Sequence, residues 1–202
     1  MNLDQVCTHL EIKSIWNRID KWLAANAPEI MNKLQTAATD EAIAQAEKLL
    51  EIELPEDVKA SYRIHNGQDR EKPGIFEGWN FLSLQEVIKA WESWKNLLDE
   101  GVFNEEDGNN GCASDGLIRT DMWWNPKWIP ITAELGGDNY CLDLDPAPGG
   151  QFGQIIIMYH DDAYRELVAN NFREWLAQLA ADLEGKKYQI DKNFYWLEKV
   201  NE

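Results

Sequence analysis

Three aspartates, Asp138, Asp143 and Asp145, form the sharpest candidate for chemistry in this chain. Side chains alternate along an extended segment, so Cys141, Asp143 and Asp145 share one face while Tyr140, Leu142 and Leu144 take the other. Two carboxylates on one face, with Asp138 just ahead of them, suit a cationic partner or a hard metal held through oxygen ligands. The competing use is local. Aspartates beside Gly137 and Pro146 readily bond turn backbone, and that is the commoner use. His65, in His65-Asn66-Gly67, has the chemistry of a base, yet no Ser or Cys is placed as its nucleophile. A helix end with a left-handed cap explains the same three residues. His160-Asp161-Asp162 lacks a second histidine at ligand spacing. Glu105, Glu106 and Asp107 do not follow the spacing of a calcium-binding loop. No catalytic set, metal site or cofactor is therefore expected. Trp123 and Trp124, with Trp128 across Asn125-Pro126, are left as a mixture of core and rim. An exposed Trp among acids would serve as an anchor for a basic partner.

The elements that must position these residues are legible from hydrophobic spacing. Residues 4–25 carry Val6, Leu10, Ile12, Ile15, Trp16, Ile19, Trp22 and Leu23 near helical period, with Pro28 just beyond. Residues 41–51 read as a second helix behind Thr39 and Asp40 as cap candidates. A short third helix starts at Pro55, with Glu56 and Asp57 at its positive end. Strands are expected at 74–76 and 79–82 around a Glu77-Gly78 turn. Ser83 and Glu86 form a capping box for the next helix. The loop 104–116 is rich in Gly, Asn and acid. Strands are expected at 128–132, 139–144 and 154–159, joined by short turns and so antiparallel. A last helix spans 171–184, capped by Asn171, and the ring-rich tail is expected to dock. The run Asp143-Leu144-Asp145 has the look of the paired aspartates of haloacid-dehalogenase-type phosphoryl transfer. That chemistry needs a βαβ setting, and here Pro146 and a meander follow instead.

The chain's 202 residues suit one domain, divided here into a helical extension, 1–35, packed on an α+β domain, 36–202. Hydrophobic residues make up 44%, enough for a core. Nineteen basic against 36 acidic residues give a net charge of −17. That field disfavours nucleic acid and favours a basic protein partner. Three scattered cysteines make no disulfide framework and point to a reducing compartment. With no apolar start or 18-residue apolar run, no membrane role is expected and a cytoplasmic location is.

Several ordered blocks carry a resemblance. They are the run 54–69, LPEDVKASYRIHNGQD; Trp79-Asn80-Phe81-Leu82-Ser83-Leu84; Trp128-Ile129-Pro130-Ile131; Gly137-Asp138 with Leu142-Asp143-Leu144-Asp145-Pro146; and Gly150-Gln151-Phe152-Gly153-Gln154-Ile155. Together they resemble the SUKH superfamily, specifically its cell-wall-assembly and killer-toxin-resistance regulators. The resemblance implies an α+β fold: a largely antiparallel central sheet flanked by helices, preceded here by the helical extension. Within it Pro55, His65, Asn66, Gly67, Trp128, Pro130, Gly137 and Gly153 read as structural positions. Family members implied by the resemblance bind proteins and are not enzymes. The first expectation is an immunity protein that neutralises a toxin; the alternative is a regulatory scaffold of cell-wall synthesis or signalling. A metal-dependent enzyme using Asp138, Asp143 and Asp145 is the weaker third. The expected protein-binding surface comprises Asp138, Asp143, Asp145, Trp123, Trp124, Glu105, Glu106 and Asp107.

Overall fold

A computed structural model describes residues 3–69, 74–104, 111–191 and 197–200. Glu105, Glu106 and Asp107 lie outside the described residues. The chain opens with a long helix, α1 (Leu3–Asn26), then one turn, α2 (Pro28–Met31). The apolar stripe of α1 is buried only from Ile12 to Leu23; Leu3 and Leu10 stay exposed. Next come α3 (Asp40–Leu50) and α4 (Glu56–Tyr62). Thr39 caps α3 by accepting from the Ala42 amide, and Pro55 precedes α4. A short strand, β1 (Asn80–Phe81), leads into α5 (Leu84–Asp99). The reciprocal Ser83–Glu86 box starts α5: Glu86 accepts from the Ser83 amide at 3.0 Å and donates its own amide to the Ser83 hydroxyl.

The rest of the chain builds the sheet. Its strands are β2 (Ala113–Ser114), β3 (Trp128–Pro130), β4 (Thr132–Ala133), β5 (Asn139–Asp143), β6 (Gln154–Met158) and β7 (Tyr164–Ala169). Helix α6 (Phe172–Glu184) follows, capped by Asn171, then a hairpin of β8 (Tyr188–Ile190) and β9 (Leu197–Lys199). The main sheet runs β2-β7-β6-β5-β3, with every pairing antiparallel except β2 with β7. β4 pairs with β1. The fold is α+β, and the meander expected of 128–159 is present. Strand β7 was not foreseen. Its sequence puts Arg165 inward and Glu166 outward, which hides the period-2 pattern.

Both faces of the sheet are covered. Tyr140, Leu142 and Ile155 join the main core with residues of α1, α3, α4 and α6. Cys141, Ile156 and Met158 face the other way, onto Ile118, Trp124 and Trp128. Along β5 every residue from Asn139 to Asp143 is therefore buried. The alternation read from the sequence is correct, but neither face of β5 is wet. Helix α4 ends at Tyr62 with Arg63 right-handed, so Asn66-Gly67 is not the left-handed cap expected of it; the pair ties the segment after α4 to the start of α5. The Asn66 side chain accepts from the Leu84 amide, and Gly67 sits at φ +78° where a Cβ would lie 2.2 Å from the Ser83 nitrogen. No helix among the described residues is long and apolar enough to cross a membrane.

Candidate protein-binding groove

The three aspartates do not form one site. A strand advances roughly 3.3 Å per residue, which sets Asp138 and Asp143 about 16 Å apart. Asp143 is fully buried. Its carboxylate accepts from the Asp145 amide at 3.0 Å and from the Gln154 side chain at 2.8 Å. Burial pushes its pKa up, and the hydrogen bonds pull partly back. A side chain sealed behind Trp128 and Gln154 neither grips a partner nor shares an ion with Asp138. It serves the turn. Asp145 is half-buried and holds Arg119 at 2.9 Å and the Asn125 amide at 3.0 Å. β5 runs into β6 as an antiparallel pair, so the setting for phosphoryl transfer is absent.

Asp138 instead meets the loop after β6. It accepts from the His160 amide at 2.9 Å and contacts His160 Nδ1 at 2.8 Å. Asp161 lies on the other side of the imidazole, at 3.8 Å. The hydrogen bond to Asp138, aided by the charge of Asp161, raises the His160 pKa above 6.5. The pair's contribution is thus present in acid and is lost as pH rises through the raised value. We expect His160 to titrate above 6.5 when followed by NMR, and Asp138→Asn to bring it back towards that value. A His160 titration unmoved by Asp138→Asn would contradict the pairing.

Trp124 is fully buried against Trp91 and Trp94, with ring centroids 6.4 and 6.3 Å away. It is core, so the expectation that it meets a partner is corrected. Trp123 is half-buried between Phe103 and the Arg165 guanidinium. Trp128 and Pro130 sit in β3, fully inside. His65 is a structural residue. Its Nε2 lies 3.0 Å from Asp20 on α1, its Nδ1 lies 3.3 Å from the Gln35 carbonyl, and its edge meets Trp16. Gly137 and Gly153 take positive φ in the turns that flank β5 and precede β6.

The surface feature that stands out is elsewhere. A groove of about 530 Å³ runs between the sheet, α6 and the terminal hairpin. Its floor is aromatic. Phe76 stacks on Trp175 at 4.0 Å, and Tyr140 lies 5.3 Å from Trp175. Its rim is acidic: Glu77, Glu166, Glu174 and Asp182, against Lys199 as the single cation among the described residues. Lys199 and the Tyr188 hydroxyl are both engaged by Glu77. Gln178 and Lys187 hold Asp182. Glu166 and Glu174 are exposed and have no cationic partner among the described residues. The groove's negative field shows in its phenols. Burial raises the Tyr140 and Tyr188 pKa values, and Glu77 adds to both. An aromatic floor below unpaired carboxylates suits a lysine or arginine side chain, by charge and by cation–π contact. Sequence reading missed Glu77, Glu166 and Glu174, because no motif links the segments that bring them together.

Residues 37–178 match the model of a family described as the SMI1 / KNR4 family (SUKH-1). A Schizosaccharomyces pombe protein named "Cell wall biosynthesis/cell cycle regulator smi1" is 30% identical over 90% of the chain and 38% of its own length. The Neurospora crassa "Glucan synthesis regulatory protein" is 28% identical over 90% of the chain and 40% of its own length. The Saccharomyces cerevisiae "Cell wall assembly regulator SMI1" is 27% identical over 88% of the chain and 42% of its own length. The chain spans about two fifths of these relatives, whose names are regulatory rather than catalytic.

Proposed function

Since the chain belongs to the SMI1/KNR4 (SUKH-1) family, we propose that it is a regulatory module that acts by contact with another protein, in the cell-wall setting its relatives are named for. The relatives' names favour this reading over toxin neutralisation, the role first expected. The contact site is the acidic groove, and its ligand is a basic segment of the partner. The observation that carries this is the pairing of an aromatic floor with two unneutralised carboxylates, Glu166 and Glu174. The net charge of −17 adds long-range attraction for the same partner.

The test is binding of a short lysine-rich peptide, followed by fluorescence anisotropy. Glu166→Lys with Glu174→Lys should weaken binding by about tenfold or more, since each reversal replaces an attraction by a repulsion. Raising salt from low to physiological strength should weaken the wild-type complex too. Asp143→Asn should leave affinity within about twofold, because that side chain is sealed from the groove by the sheet. Affinity unchanged by the double reversal would remove the groove as the binding site.

A further inference from the structure

The groove lies beside an unfinished sheet edge. β2 covers only the first part of β7, with Ala113 opposite Tyr164 and Ser114 opposite Arg165. Beyond Arg165, β7 continues to Ala169 with β6 as its one strand neighbour among the described residues. The direction of the free groups follows from the bonds that are made. The Ala113 amide donates to the Ala163 carbonyl at 2.8 Å, so the odd-numbered peptide groups of this strand face β2. Strand alternation then turns the Leu167 amide and carbonyl to the same outer side. No backbone group among the described residues bonds them there. Glu166 and Val168, on either side of Leu167, point into the groove. Such an edge is a template for an added strand unless it is blocked. β7 carries no proline at this stretch; its inward charge, Arg165, lies before Leu167 and its bulge, with Val168 as the extra residue, lies after it, so Leu167 itself keeps its regular pairing with Ile156, and Val168 is 37% exposed.

We infer that the partner's basic segment binds as an extended strand paired to the outer edge of β7 at Leu167, with alternate lysine or arginine side chains entering the acidic groove. This rests on the groove reading and adds a mode to it. Main-chain hydrogen bonds to Leu167 supply register, and the period of two supplies selectivity. Groups one residue apart point to opposite faces, so a segment with basic residues at every second position fits, whereas a helical basic segment does not. Charge complementarity names the occupant: Glu166 is on β7 itself, one residue before Leu167, and it lines the groove together with Glu77 and Glu174.

The probe is a short capped peptide alternating lysine and threonine, made also in two backbone N-methylated forms. One form is blocked at every lysine amide, the other at every threonine amide. An added strand turns one set of amides to β7 and the other to solvent. One form should therefore lose about tenfold or more in affinity while the other stays within about twofold of the parent, which is the signature of strand addition. Hydrogen exchange at the Leu167 amide should slow on saturation with the parent peptide. If both forms bind equally and Leu167 exchange is unchanged, while Glu166→Lys still weakens binding, strand addition is wrong and the groove reading stands. If Glu166→Lys with Glu174→Lys has no effect, or the parent peptide does not bind, the groove reading falls and this inference falls with it.

Discussion

Trp16→Ala is expected to lower the unfolding free energy by about 3–5 kcal/mol, measured as a fall in the urea midpoint at constant slope. Trp16 is fully buried in the middle of α1. Its indole N–H donates to the Ser61 hydroxyl at 2.8 Å, and Ser61 is also fully buried. The ring meets the edge of His65 at 4.8 Å and lies 6.0 Å from Phe81. Alanine would remove the largest side chain joining α1 to α4 and leave a cavity that helices on both sides hold open. It would also strip the Ser61 hydroxyl of its donor, which costs a further amount of order 1 kcal/mol within that total. Leu10→Ala on the same helix should cost less than about 0.5 kcal/mol, because Leu10 is 60% exposed. A loss below about 1.5 kcal/mol for Trp16→Ala would mean that the core collapses around the gap. The same experiment bears on how the chain is divided. We propose that residues 1–35 unfold together with the sheet, because Ile12, Trp16, Ile19 and Leu23 share its main core. Separate exchange of the α1 amides would overturn that.

The two cores explain what could be read from the sequence and what could not. Local rules were enough for helix starts. Ser83 with Glu86 and Asn171 with Glu174 each place a cap where the structure has one, and of the two candidates Thr39 and Asp40 the structure takes Thr39. They were also enough for the alternation in β5, since the pattern Tyr140, Leu142 against Cys141, Asp143 is intrinsic to an extended chain. They were not enough to say which face meets water. Asp143 looks like a surface carboxylate until Trp128 and Gln154 close over it, and those contacts join residues far apart in sequence. β7 failed for a related reason. Arg165 looks like an outward residue and is fully buried. The groove draws on Phe76 and Glu77, on β5 to β7, on α6, and on the terminal hairpin. The motif blocks within these segments, in β5 and at the start of β6, do not point to the groove. Of the tail residues expected to dock, Tyr188 and Leu197 are buried, while Phe194, Tyr195 and Trp196 lie outside the described residues; what the tail would enclose was not legible.

Arg165→Ala is the second substitution with a large expected effect, also about 3–5 kcal/mol. Arg165 is a fully buried cation with no carboxylate partner among the described residues. Backbone carbonyls hold it instead. One terminal nitrogen donates to the Trp123 carbonyl at 3.0 Å, and the other to the Asp162 and Tyr164 carbonyls. The guanidinium carbon lies 5.0 Å from the centroid of the Trp123 ring and 5.9 Å from that of Trp128. Burial pulls its pKa down, but an arginine keeps its charge at neutral pH. Such a cation costs desolvation energy and is tolerated only while its carbonyl and ring partners surround it. Its use is geometric: it fastens the Trp123 segment to β7, and with it the layer that seals Cys141, Ile156 and Asp143. Alanine would leave the Trp123 carbonyl and the ring faces without their partner, and the second core would open. Arg165→Lys should not restore stability, because one ammonium cannot span the Trp123 and Tyr164 carbonyls that the planar fork reaches together. The readout that separates this from general damage is tryptophan fluorescence below the unfolding transition. Loosening of the Trp123–Trp128 layer should shift it in Arg165→Ala and not in Leu23→Ala at matched folded fraction, since Leu23 lies in the other core and is not itself a fluorophore. A urea midpoint unchanged in Arg165→Ala would show that the layer is held by its rings alone.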